Sequence, residues 1–231
     1  MPSKIPARHY VGPNHAHRMF VERYRFLNAL YYLIVSNKPL LKNNLLEASK
    51  TPDSVVGVVT HAISKTQFQG VFVPANEARE MAEDFGSFLS VLQHQTIVTA
   101  YRYFVDFCMD LLDEIGSAPD AALSEKLVSR LRERFMNLEH IRVAFQDELG
   151  VTIYGEPGDE SRLNLLLATR NSIEHADCRV TKEYLRLANS GLSIGDPVPA
   201  GPKEAGEAPA LVEHLAKHLN NACLRRWNIK T

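Results

Sequence analysis

Arg170, Asn171 and His175 stand at the end of an apolar helical run, Leu163-Asn164-Leu165-Leu166-Leu167-Ala168-Thr169. A guanidinium is always charged and can hold a phosphate in a forked, two-point grip, while an imidazole with an ordinary pKa of about 6.5 can carry protons beside it. Placed together, these groups would suit phosphodiester chemistry.

The helix has to allow that placement. At 3.6 residues per turn, five positions rotate a side chain by about 140° around the axis, so Arg170 and His175 do not stack. Asn171 and His175, four apart, share a face, where the amide could orient the imidazole and select its tautomer while the longer arginine arm curls round to the same cleft. Arg170 and Glu174 are also four apart. They could form an exposed ion pair worth about 0.3–0.5 kcal/mol, which would set a negative charge beside the phosphate site.

The stretch Arg170-Asn171-Ser172-Ile173-Glu174-His175 resembles the arginine-four-residues-histidine motif of the HEPN superfamily, in the variant with asparagine directly after the arginine. The similarity spans the motif, the apolar run before it and the segment from Val180 to Leu187 after it. It implies an all-α antiparallel helical bundle and metal-independent endoribonuclease activity, with Arg170 and His175 catalytic and Asn171 organising the motif. The implied substrate is RNA, attacked by its own 2′-hydroxyl, and two copies of the motif would meet across a homodimer interface. No cofactor is implied. Relatives in toxin-antitoxin pairs or antiviral defence imply a toxin or defence setting, with an antitoxin or regulatory protein as partner. The alternative on the same fold is a non-catalytic helical module that binds RNA or a partner protein.

Composition narrows the field around the motif. With 231 residues, 45% of them hydrophobic, the chain can bury a proper core. Lys plus Arg number 26 against 27 Asp plus Glu, so no global field draws the protein toward nucleic acid or a membrane. RNA affinity would have to come from a local patch, for which Arg130, Arg132, Arg134 and Arg142 on an earlier helix, with Arg170, Arg179, Lys182 and Arg186 around the motif, are the candidates. Interleaved Glu133, Glu139 and Glu183 equally fit an ordinary solvated face. Cys108, Cys178 and Cys223 are too few and too scattered for a disulfide framework or a zinc knuckle, as in a reduced cytoplasm. No apolar run reaches the length of a membrane span, and residues 1–17 lack the apolar segment of a secretory signal. The expectation is a cytoplasmic protein that does not enter a membrane.

Periodicity supplies the elements that must carry the motif. Phe20, Tyr24, Leu27, Leu30, Tyr31 and Ile34 predict a helix over 15–35. Thr51-Pro52-Asp53 reads as a helix start leading to Val55, Val58, Val59, Ala62 and Ile63, although these β-branched residues also suit a strand. From Asn76 to Ile115 the rhythm predicts one very long helix, or two joined near 93–96. A further helix is expected over 121–149, stopped by Gly150, and then the motif helix from Arg162 to His175, capped by Asp159 or Ser161. Thr181 should cap the next helix. Organisation is therefore expected as a helical domain over 1–192, a Pro/Gly-rich extended linker over 193–209, and an amphipathic helix over 210–231 that docks back on its own domain.

Other constellations are weaker. His214 and His218, four apart, could chelate a metal, but no acid at matching spacing beyond Glu213 completes a shell, so no metal site is expected. His61, His94 and His140 read as packing residues. Neither a nucleophile elbow, a P-loop nor a dinucleotide fingerprint is present.

Overall fold

The computed structural model describes residues 15–50, 55–62, 68–117, 131, 138–188 and 190–227. Helix α1 spans His15–Ser36 and α2 spans Lys38–Ala48, with Pro39 tolerated in its first turn, where an amide hydrogen would go unpaired anyway. Strands β1 (Val55–Ala62) and β2 (Phe68–Pro74) pair antiparallel, with a register irregularity between Val59 and His61. Helices α3 (Ala75–Glu83) and α4 (Phe85–Ser117) follow. Helix α5, Leu138–Arg142, continues as a π-helical turn over Val143–Glu148. The motif helix α6 covers Asp159–His175, α7 covers Lys182–Ala188, and α8 covers Pro202–Arg226. The protein is all-α in class, with one hairpin.

The chain divides into two units, residues 1–28 with 94–231, and residues 29–93. In the smaller unit α2 packs on α3, and Leu45, Ala78 and Ala82 share a core cluster with Phe85 at the start of α4. Here the helix expected after Pro52 is a strand. Val55, Val56, Val58 and Val59 are stiff at χ1 and crowd a helix, while Gly57 weakens one, and β2 offers the pairing that tips the balance. The break in the long 76–115 pattern falls at Asp84 rather than near 93–96, and the Asp84 carboxylate accepts from the Ser87 amide at 3.4 Å to start α4.

In the larger unit, Phe20 of α1 meets Phe107 of α4 with ring centroids 5.4 Å apart. The buried Glu114 carboxyl accepts the Ala16 amide at 3.0 Å, satisfying a donor in the first turn of α1. The helix expected over 121–149 is described at residue 131 and from Leu138 onward, and Gly150, at φ +65°, ends it. Helix α6 packs against α7 and α8, burying Leu163, Leu166 and Ala168 along with the small polar Thr169 and Ser172.

The expected linker over 193–209 is shorter than its composition suggests. Helix α8 already begins at Pro202 and carries Pro209 in its interior. Residues 193–201 are ordered against the loop after α6: the Val180 amide donates to Asp196 at 2.8 Å and the Val198 amide to Cys178 at 2.8 Å, and Val198 and Ala200 are buried. The apolar stripe of α8, including Leu211, Leu215, Leu219 and Cys223, is buried, so this helix does dock back on its own unit.

Candidate functional site

Helix α6 starts at a loop gripped by its first residue. Gly158, at φ +95°, turns the chain in, and the Asp159 carboxylate reaches back to accept the Gly155 and Glu156 amides at 3.0 and 2.9 Å. The helix ends as sharply. Asp177 and Cys178 both sit in the left-handed region, at φ 49° and 56°, a conformation costing on the order of 1 kcal/mol or more per non-glycine residue. The Cys178 amide bonded to Ser172 and the pairing of Arg179 with Pro197 hold them there. The reversal leaves His175, the last residue of α6, with its side chain 69% exposed.

Around that end lies an open cleft of about 1260 Å³, formed by α4, α5, α6 and α7 and lined by Arg170, Asn171, Glu174 and His175. The three predicted catalytic residues thus share one cavity. Arg170 lies over the Tyr101 ring, its Cζ 5.8 Å from the centroid, and Tyr101 is 6% exposed. Burial pushes the Tyr101 phenol up to about 12 against the opposing pull of the Arg170 cation, so it remains a neutral platform at physiological pH.

Contacts within the motif differ from those its spacing suggests. Asn171 Oδ1 accepts from Arg170 Nη1 at 2.9 Å, so the amide steadies the guanidinium rather than the imidazole. The expected Arg170–Glu174 pair is formed through Nη2 and Oε2. Glu174 Oε2 also lies 3.8 Å from His175 Nε2, within ionic reach and too long for a hydrogen bond.

Among the described residues, the charges lining the cleft are balanced. Arg102, Arg142, Arg170 and Arg186 face Glu139, Glu160, Glu174 and Glu183. Arg142 grips Glu139 at 2.6 and 3.0 Å, and Arg186 grips Glu183 at 2.6 and 2.9 Å. These hydrogen bonds hold the Glu139 and Glu183 carboxyls below their usual range. Phosphate binding would compete with an existing carboxylate at three of the four arginines.

Of the predicted RNA-binding residues, Arg142 and Arg186 line the cleft with Arg170, whereas Arg179 and Lys182 do not. Arg179 Nη1 donates to the Gly195 carbonyl at 3.3 Å and Lys182 is exposed. Arg130, Arg132 and Arg134 lie outside the described residues. Tyr101 and Arg102, which sequence reasoning did not single out, join Arg142 and Arg186 in the lining. Of these, Tyr101 and Arg102 come from the middle of α4 and carry no local signal, since a tyrosine and an arginine on a long helix have no distinguishing spacing.

Near the reversal, Cys178 Sγ lies 3.6 Å from His94 Nδ1. Burial raises the thiol and lowers the imidazole, so the pair rests neutral and is no thiolate–imidazolium nucleophile. Thr181 caps α7 as expected, accepting the Tyr184 amide at 3.1 Å.

Fold and site together define an all-α protein with an arginine–histidine cleft whose described lining residues balance in charge. No family model matches the chain, nor does any curated protein or solved structure. No helix among the described residues is long and apolar enough to cross a membrane.

Proposed function

We propose that this chain is a metal-independent endoribonuclease of the HEPN type, acting in the cytoplasm as a homodimer, in a toxin or defence role. The observation that carries the reading is the convergence of Arg170, Asn171 and His175 on one open cleft, with the guanidinium steadied by Asn171 and seated on Tyr101. His175 would take the proton of the ribose 2′-hydroxyl as that oxygen attacks the adjacent phosphorus. Arg170 would neutralise charge growing on the phosphorane oxygens. The P–O5′ bond then breaks, and O5′ collects a proton from a second imidazole, leaving a 2′,3′-cyclic phosphate and a 5′-hydroxyl. Among the described residues one protomer offers one such histidine in the cleft, so a two-fold pairing of clefts supplies base and acid together.

A second reading has its own support. The matched arginines and glutamates of the cleft suit a non-catalytic helical module that binds a partner protein or RNA. One experiment separates the two. Single-stranded and structured RNA are incubated with the protein in excess EDTA, alongside Arg170→Ala and His175→Ala. His175 is exposed enough that its loss leaves folding intact. Cleavage abolished by both substitutions is the expected result. Cleavage equal in all three proteins would remove these residues from the chemistry, and binding without cleavage would favour the module.

A further inference from the structure

At the opposite end of α6 from the cleft, we propose a binding site for a divalent first-row transition cation, held by Glu156, Asp159 and His214. One oxygen from each carboxylate and one imidazole nitrogen lie within 4.8 Å of one another. Metal–ligand bonds of about 2.1 Å at tetrahedral angles place donors about 3.4 Å apart, so small side-chain shifts close the gap around a cation. The ligand set, two hard oxygens and a borderline imidazole without a thiolate, suits Zn²⁺, Co²⁺ or Mn²⁺.

The second line of support is unspent bonding capacity. Asp159 is 1% exposed. Its Oδ2 accepts the two loop amides and His214 Nε2 at 3.1 Å, yet its buried Oδ1 accepts no hydrogen bond. Arg162 Nη1 stands 3.6 Å from Oδ1, in ion-pair contact but beyond hydrogen-bond range. One turn along α8, His218 presses its ring against the same loop, so closely that a Cβ on Gly155 would sit 2.8 Å from its Nδ1. His218 Nε2 is likewise buried without a partner. A buried carboxylate oxygen without a hydrogen bond is costly, and a cation held by both Asp159 oxygens and by His214 relieves it. Coordination replaces the Nε2–H···Oδ2 hydrogen bond, with the ring proton carried on Nδ1 instead. Glu156 in the loop and Asp159 at the start of α6, each more than fifty positions from His214, are thereby tied to α8, about 24 Å along α6 from His175, so the cation is structural and the ribonuclease reading neither needs nor excludes it.

The full-length protein, stripped with EDTA and dialysed, is titrated with Zn²⁺ and Co²⁺ by calorimetry, and its thermal unfolding is followed with and without metal. One equivalent should bind and raise Tm. Glu156→Gln, an exposed change that leaves the Asp159 contacts in place, should weaken binding at least tenfold and erase the Tm shift. His214→Ala should do the same. Binding of equal strength in both variants would place the metal on other histidines and overturn the assignment, as would no binding up to about 100 µM metal.

Discussion

Glu174→Gln probes the cleft most directly, because Glu174 occupies the guanidinium that a phosphate would need. The pair is an i,i+4 contact between side chains 30% and 29% exposed, so its own loss costs the fold no more than about 0.5 kcal/mol. Its effect on a bound phosphate is larger. With both anions around Arg170, about 5 Å apart, repulsion runs from about 0.8 kcal/mol at the dielectric of water to about 3 kcal/mol at an effective dielectric of 20. Partial exposure places this site toward the lower half, about 1–2 kcal/mol, or roughly five- to thirtyfold in affinity. Fluorescence anisotropy with a short single-stranded RNA at low and physiological salt reads this directly, and the gain should shrink as salt screens the repulsion. Cleavage by the variant should improve in kcat/KM. If Glu174→Gln binds RNA no more tightly than the parent at low salt, Arg170 is not the phosphate receptor and the reasoning fails.

Three further outcomes follow from the larger unit, each measured by urea denaturation in EDTA. Asp159→Ala strands the Gly155 and Glu156 amides and should cost about 2–4 kcal/mol, whereas Asp159→Asn, which keeps an acceptor oxygen, should cost less. Burial alone would raise the Asp159 pKa, but the Glu156 and Gly155 amides and His214 outweigh it and hold the carboxyl below its usual range. Its stabilising contribution is therefore present above the ordinary carboxylate range and lost as pH falls through the lowered value, so Asp159→Asn should flatten the acid limb of the stability profile. Gly155→Ala drives a methyl into the His218 ring and should cost about 1–3 kcal/mol, and His218→Ala should restore much of it; additive losses would show that the clash is not the cause. Leu163→Ala, at a fully buried position of α6, should cost about 2–5 kcal/mol, and a loss under 1 kcal/mol would mean that the α6 seam is not well packed.

Local chemistry made much of this architecture readable. The apolar spacing of Phe20, Tyr24 and Tyr31 marks α1, the Gly150 stop ends the helix before the motif, and Thr181 caps α7, because period, turn and cap are properties of neighbouring residues. The Arg170–Glu174 pair was visible for the same reason: four positions on a helix are a distance. Sequence alone thus determined the helical class, the motif helix and its internal ion pair. Tertiary structure decided what stands across from them. The β1 strand needed β2 to outcompete a helix, Tyr101 reached Arg170 only through the placement of α4, and Arg179 and Lys182 were carried away from the cleft by the reversal at Asp177 and Cys178. No acid near His214 in sequence could complete a ligand set, because Glu156 and Asp159 arrive from another helix's loop. Such meetings depend on the path of the chain between the partners, which no spacing within a single element encodes.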